Sequence, residues 1–169
     1  IVPGRGRLIV NGEDAALREV LAMGCWTPVE RFAIDSQAEW QARLVRNDGS
    51  EFALLHNGEE IGVVRWEMLG RHNVMNGLAA LAAANAVGVD LAAVIPKLVD
   101  FVSVKRRLEN LGSARGITVY DDFAHHPTAI ATTVGGLHQK IGAKGRILAV
   151  LEPRSNTMKL GAMKDALPG

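Results

Sequence analysis

A chain of 169 residues lies within the range of one domain or two small ones and is long enough to bury a core. Its composition, 48% hydrophobic, 22% charged and 5% aromatic, is that of an ordinary globular protein, not a fibrous or disordered one. With 19 basic and 18 acidic side chains it makes no electrostatic case for a nucleic-acid or membrane-surface partner, and a lone cysteine excludes an internal disulfide framework.

In chain order, RLIVN (7–11) reads as a strand and EDAALREVLAM (13–23) as a helix with acids in its first turn. Cys25 suits a reducing compartment. No basic-then-apolar leader opens the chain and no run of about 18 apolar residues could span a bilayer, so the cytoplasm is the expected location and no membrane is an expected partner. From Val29 the segments become short and rich in β-formers: VERFAI, EWQARLVRN, EFALLHN and EEIGVVRWEM. NDG (47–49) and NG (57–58) separate the last three, and Asn-Gly and Asp-Gly are strong hairpin signals. This predicts an antiparallel meander over roughly 29–67.

Gly70 introduces a helix with Val74, Leu78 and Leu81 at helical spacing and Gly88 as its stop. A second helix over 90–101 would present Leu91, Val94, Ile95, Leu98 and Val99 as one apolar face. SVKRRLENLGSARG (103–116) breaks that pattern and is the expected domain boundary. Beyond it, ITVY (117–120) is followed by the loop DDFAHH and a helix from Pro127, with Ile130, Val134, Leu137 and Ile141 on one stripe. RILAVLE (146–152) is followed by PRSNT and a helix from about Met158. Two strand–loop–helix units in succession predict parallel strands with both loops at the carboxyl edge of the sheet, facing one crevice. Two such strands do not complete a parallel sheet, so the chain reads as part of a longer enzyme.

Four stretches carry candidate chemistry. DDFAHH is a hydrogen-bonded loop with Asp122 holding backbone amides, a polar ligand loop using Asp122, His125 and His126, or a source of metal ligands; its spacing leaves all three open. Asn73 and Asn76 share a helix face beside His72 and match the donor–acceptor edge of adenine, although a capping asparagine fits as well. KRRLE (105–109) offers guanidinium groups suited to phosphate or to water. In EPRSNT, Arg154, Ser155, Asn156 and Thr157 could hold a carboxylate or peptide, or simply cap the next helix. No G-x-x-x-x-G-K-[ST] occurs, so a triphosphate would have to be cradled by residues outside this chain.

Taken in order, GRHNVMN, KRRLE, VYDDFAHHPTAI and EPRSNTMKLG resemble the Mur ligase family, over essentially the whole chain. The resemblance implies an α/β fold: the end of a P-loop-type central ATPase domain with its antiparallel meander (1–103), then the first half of a Rossmann-like C-terminal domain (104–169). It implies ATP-dependent amide ligation, with Mg2+ ligands upstream of Ile1 and an acyl phosphate as intermediate. DDFAHHPTAI followed by EPRSNTMKLG is most similar to the branch joining the murein tripeptide L-alanyl-γ-D-glutamyl-meso-diaminopimelate to UDP-N-acetylmuramate during peptidoglycan recycling. The branch that adds L-alanine to UDP-N-acetylmuramate is the alternative; a metal-dependent hydrolase and a non-catalytic binding module are alternatives of other classes. By position, the resemblance implies that His72, Asn73, Asn76, Arg107 and Asp122 contact ATP. It likewise implies that Asp122 and His125 serve catalysis, and that His126, Arg154, Ser155, Asn156 and Thr157 hold the tripeptide.

Overall fold

The structure, a computed structural model, describes residues 6–152. The chain divides into two units, one ending at Phe101 and the other beginning at Val102.

The first unit runs β1 (Leu8–Asn11), α1 (Ala15–Ala22), β2 (Val29–Ala33), β3 (Trp40–Leu44), β4 (Glu51–His56), β5 (Glu59–Arg65), α2 (Arg71–Ala86) and α3 (Leu91–Val94). Its strands form one mixed sheet in sequence order. β3, β4 and β5 are antiparallel, as the turn signals predict, but β2 lies parallel to both neighbours, which corrects the meander expected from Val29 onward. Parallel neighbours usually need a crossover of about a dozen residues. Here β2 and β3 overlap only at Phe32↔Trp40 and Ala33↔Gln41, so the short connection 34–39 suffices. The β4–β5 hairpin closes on Asn57 and Gly58 with φ of 51° and 85°, the left-handed pair that a two-residue turn requires.

The β3–β4 turn ties the sheet to α2. Asp48 is buried, and its Oδ1 accepts from the Ser50 amide at 3.0 Å and the Ser50 hydroxyl at 2.6 Å. Its carbonyl accepts the Gly70 amide at 2.7 Å. The neighbouring Gly49 carbonyl accepts Trp66 Nε1 at 2.9 Å. Gly49 has a φ of 81°, and a Cβ there would lie 3.1 Å from the Gly70 carbonyl oxygen. Only glycine meets both demands cheaply.

α2 lays Val74, Leu78, Leu81 and Ala82 on the sheet, against Trp40, Phe52, Leu54 and Val64, all fully buried. Burying each large side chain is worth about 1.5–3 kcal/mol. Gly88 stops α2 as expected, its amide bonding the Asn85 carbonyl at 2.9 Å. Two helical expectations need correction. Asp14 caps α1 through the Leu17 amide at 3.0 Å, and no acid occupies the first turn. The helix predicted over 90–101 is α3 followed by a 3-10 turn, Ile95–Asp100, because Pro96 offers no amide to an α-helical ladder. Leu91 and Ile95 reach the core, whereas Val99 is exposed.

The second unit contains β6 (Glu109–Ala114), β7 (Ile117–Asp121) and α4 (Pro127–Ile141). β6 lies inside the stretch expected to be an irregular boundary. It pairs antiparallel with β7 across Arg115-Gly116, whose φ values are 52° and 77°. α4 begins at Pro127, with Ile130, Val134, Leu137 and Ile141 half-buried along one stripe. The strand expected at 146–152 does not form: the segment is irregular and exposed, with Leu148 and Val150 facing solvent. β7 bonds to β6 instead, and a lone extended segment gains no ladder hydrogen bonds among the described residues. The parallel pair predicted from the two strand–loop–helix units is therefore absent among the described residues. PRSNT and the helix from about Met158 lie outside them. Among the described residues, no helix is long and apolar enough to cross a membrane.

Two positions of the first unit should respond measurably to substitution. A Cβ on Gly77 would meet Trp66 Cη2 at 2.5 Å. Alanine gains up to about 1 kcal/mol of helix propensity over glycine, but overpacking against a ring held by its indole bond costs about 1–3 kcal/mol. Gly77→Ala should therefore lower the denaturation midpoint. Burial is the largest influence on Asp48 and raises its pKa. The Ser50 hydroxyl and amide, then Arg46, together outweigh it and hold the pKa below the ordinary value. The unfolded chain, with a carboxyl pKa of about 3.9, then binds more protons in acid, so this stabilisation is present above about pH 4 and lost as pH falls through the folded value. Acid titration of stability should be shallower in Asp48→Asn.

Candidate functional site

The first set of predicted residues opens α2. Its N-cap is Gly70, with a φ of 87°, so no side chain caps the helix in the usual way. Asn73 secures the opening instead. Its Nδ2 donates to the Leu69 carbonyl at 2.7 Å, and its amide bonds the Gly70 carbonyl at 3.0 Å. Neither asparagine is therefore the N-cap weighed against adenine recognition; the bond to Leu69 orients the Asn73 side chain with Oδ1 still able to accept. Asn76 lies on the exposed face, and His72 and Asn73 are half-buried. Arg71 forms an ion pair with Asp35, just beyond the carboxyl end of β2. That pair fixes the helix opening to the edge of the parallel strands, where open α/β sheets bind ligands. Sequence reasoning missed it because the partners are far apart in the chain.

The second set lies wholly in the second unit, where KRRLE and DDFAHH meet. Asp122 Oδ2 accepts the Leu108 amide and Oδ1 accepts the Ala124 amide, both at 2.7 Å. The Phe123 amide bonds the Arg106 carbonyl at 2.8 Å. Arg106 places Nε 3.2 Å from Asp121 Oδ2 and its guanidinium 5.2 Å from the Phe123 ring centre. Its amide donates to Glu109 Oε2 at 2.9 Å. Arg106 and Leu108 have φ of 61° and 51°, left-handed conformations that cost a non-glycine residue about 1–3 kcal/mol each. Arg107, between them, is exposed, and among the described residues its guanidinium makes no hydrogen bond or ion pair. Neither Arg106 nor Leu108 was singled out from sequence, since nothing in KRRLE marks left-handed backbone.

The adjacent histidines have different backbone partners. His125 Nδ1 lies 3.0 Å from the Phe123 carbonyl and donates to it, leaving the neutral ring with an accepting Nε2. His126 caps α4: its Nδ1 accepts the Thr128 amide at 3.3 Å, which leaves the neutral ring with a donating Nε2. These tautomers are assigned from the hydrogen-bond partners. Both rings are exposed. Among the described residues, no group of three or more His, Cys, Asp or Glu side chains is arranged to hold a metal ion. Arg154, Ser155, Asn156 and Thr157 lie outside the described residues.

Comparison with known proteins gives these loops a context. Residues 2–84 match the Mur ligase middle domain, and residues 106–167 match the Mur ligase glutamate ligase domain. The chain belongs to the Mur ligase family. It is 51% identical over 167 residues to the UDP-N-acetylmuramate–L-alanyl-γ-D-glutamyl-meso-2,6-diaminoheptandioate ligase of Escherichia coli, a match covering 99% of this chain and 36% of that protein. A solved murein peptide ligase from Psychrobacter arcticus superposes with a TM-score of 0.65 at 44% identity, covering 93% of this chain and 33% of that one. Against the UDP-N-acetylmuramate–L-alanine ligase of Desulfitobacterium hafniense, identity is 31% over 163 residues, 94% of this chain and 35% of that protein. This Mur ligase chain thus spans about a third of the length of the relatives it matches.

Proposed function

We propose that this chain belongs to an ATP-dependent amide ligase that joins the murein tripeptide L-alanyl-γ-D-glutamyl-meso-diaminopimelate to UDP-N-acetylmuramate, acting in the cytoplasm in peptidoglycan recycling. The observation that carries the substrate class is identity: 51% to the tripeptide ligase against 31% to the L-alanine ligase over nearly the same residues. In this reading residues 1–103 are the later part of the central domain and 104–169 the first part of the C-terminal domain.

The residues present fit part of a nucleotide. Asn76 is an exposed amide one helical step from Asn73 Oδ1, a pattern suited to the adenine edge, with His72 beside them. Arg107 is an exposed guanidinium suited to phosphate. They do not fit all of it: the chain has no P-loop sequence, and no grouping for Mg2+ occurs among the described residues. ATP, when bound, supplies the phosphoryl group that activates the muramoyl carboxylate as an acyl phosphate. The rest of the chemistry in this reading is proton transfer and charge placement. The attacking amine must lose a proton, and His125 Nε2 is the acceptor for it. His126 Nε2–H donates to the tripeptide, which Arg154, Ser155, Asn156 and Thr157 also hold, with the arginine matched to a carboxylate. Asp122 serves the nucleotide end of the reaction.

In the complete protein, ATP, UDP-N-acetylmuramate and the tripeptide should give one amide product with release of ADP and phosphate, while L-alanine in place of the tripeptide gives none. His125→Ala should lower kcat by about 10²–10⁴-fold, the usual contribution of a general base, without raising the ATP KM. Equal use of L-alanine would overturn the substrate assignment, and an unchanged kcat would remove His125 from the chemistry.

A further inference from the structure

We infer that Asp122 acts through Arg107: it is a positioning residue whose carboxylate holds the left-handed turn that presents the guanidinium. The inference rests on the reading of Arg107 as the phosphate-binding cation and specifies how Asp122 serves the nucleotide.

Both carboxylate oxygens of Asp122 are engaged by backbone. One holds the Leu108 amide and the other the Ala124 amide, each at 2.7 Å, so the side chain bridges the two segments. The Phe123 amide on the Arg106 carbonyl, at 2.8 Å, closes the same junction from the opposite direction. Every group flanking Arg107 is fastened: the Arg106 amide to Glu109, the Arg106 guanidinium to Asp121 and the Phe123 ring, and the Leu108 amide to Asp122. Among the described residues the Arg107 guanidinium, like the Lys105 ammonium two positions earlier, makes no hydrogen bond or ion pair, and of the two only Arg107 lies between the left-handed residues.

The backbone explains why so much fastening is needed. Arg107 sits between residues with φ of 61° and 51°, neither of them glycine. Such a turn persists only when its surroundings over-determine it. The two groups also differ in what they have left to offer: both Asp122 oxygens already accept backbone amides, whereas the Arg107 guanidinium keeps its donors for an anion. Misplacing a charge-stabilising group by about 1 Å costs on the order of 10²-fold in rate.

The test is a cycle of variants in the complete ligase, with initial rates measured in ATP, UDP-N-acetylmuramate and tripeptide. Asn at 122 keeps one acceptor but sets an NH2 group against one of the two amides. Asp122→Asn should therefore lower kcat by roughly 10- to 100-fold with the tripeptide KM unchanged. Two readouts separate positioning from direct contact. The double variant Arg107→Ala with Asp122→Asn should be no slower than Arg107→Ala alone, as for groups acting in series. Leu108→Gly, which adopts a positive φ without strain, should restore at least about half of the lost rate on the Asp122→Asn background. Leu108→Asn, also tolerant of that region, serves as the second rescue should glycine loosen the fold. Losses that multiply in the double variant, or rescue by neither substitution, would show that Asp122 acts independently and overturn the inference while leaving Arg107 as the phosphate ligand. Full activity in Arg107→Ala would overturn both.

Discussion

The hydrogen bond from the Leu108 amide to the Asp122 carboxylate is the contact on which the shape of the second unit's loops depends. A bond from an amide to a charged acceptor is worth about 1.5–3 kcal/mol, and Asp122 makes two of them. Against this stands the cost of two left-handed residues, about 1–3 kcal/mol each. The terms are of equal size. The Phe123 amide on the Arg106 carbonyl and the Arg106 amide on Glu109 add to the favourable side, and polar contacts must do this because the described part of this unit buries no large apolar side chain that could hold the turn. Of α4, only Pro127 and Gly136 are buried.

The first unit is held differently. Its turn at Asp48 uses the same chemistry, a carboxylate accepting from backbone and hydroxyl, but the surrounding material is core. Trp66 touches three loosely related parts of the sequence: its indole N–H binds Gly49, its ring fills the space left by Gly77, and it meets the Phe52 ring in a T-shaped pair with centres 5.4 Å apart. Gly49 in turn lies against Gly70, where α2 begins. The opening of α2, with His72, Asn73 and Asn76, is therefore positioned by packing that resists small displacements. In the proposed reading Asn73 and Asn76 meet a flat ring, and this packing gives them a rigid support.

Much of this was legible in the sequence where local rules dominate. Asn57-Gly58 gave the β4–β5 hairpin, the spacing of Val74, Leu78 and Leu81 gave the buried stripe of α2, and Pro127 marked the start of α4. The errors arose where a partner decides. Nothing local distinguishes the parallel pairing of β2 with β3 from an antiparallel one, since only two residue pairs overlap. β6 was hidden because Gly112 and the register shift beside it interrupt any alternation, and its residues are almost all exposed. RILAVLE has strand composition but no ladder partner among the described residues, and composition cannot supply one. Within the candidate site, DDFAHH was recognisable as a loop and KRRLE as a run of cations suited to phosphate or to water. The left-handed backbone beside Arg107 has no sequence signature, because glycine, its usual marker, is absent from KRRLE.

The two histidines show how a backbone can divide labour between identical side chains. In the sequence they are adjacent imidazoles, told apart only by Pro127, which forces His126 extended. Pro127 restricts the residue before it to extended backbone, and His126 accordingly has φ −107° and ψ 139°, the geometry of an N-cap. An N-cap side chain must accept, so Nδ1 of His126 receives the Thr128 amide and the proton of the neutral ring goes to Nε2. His125 has a carbonyl as its neighbour, so its Nδ1 must donate and its Nε2 is left to accept. One loop thereby presents, in the neutral rings, a hydrogen-bond acceptor and a hydrogen-bond donor on successive residues. In the proposed reading the accepting nitrogen takes the amine proton and the donating one holds the tripeptide. Which ring nitrogen is left to accept and which to donate follows from a carbonyl and a proline, and the proposed roles of the two histidines rest on that difference.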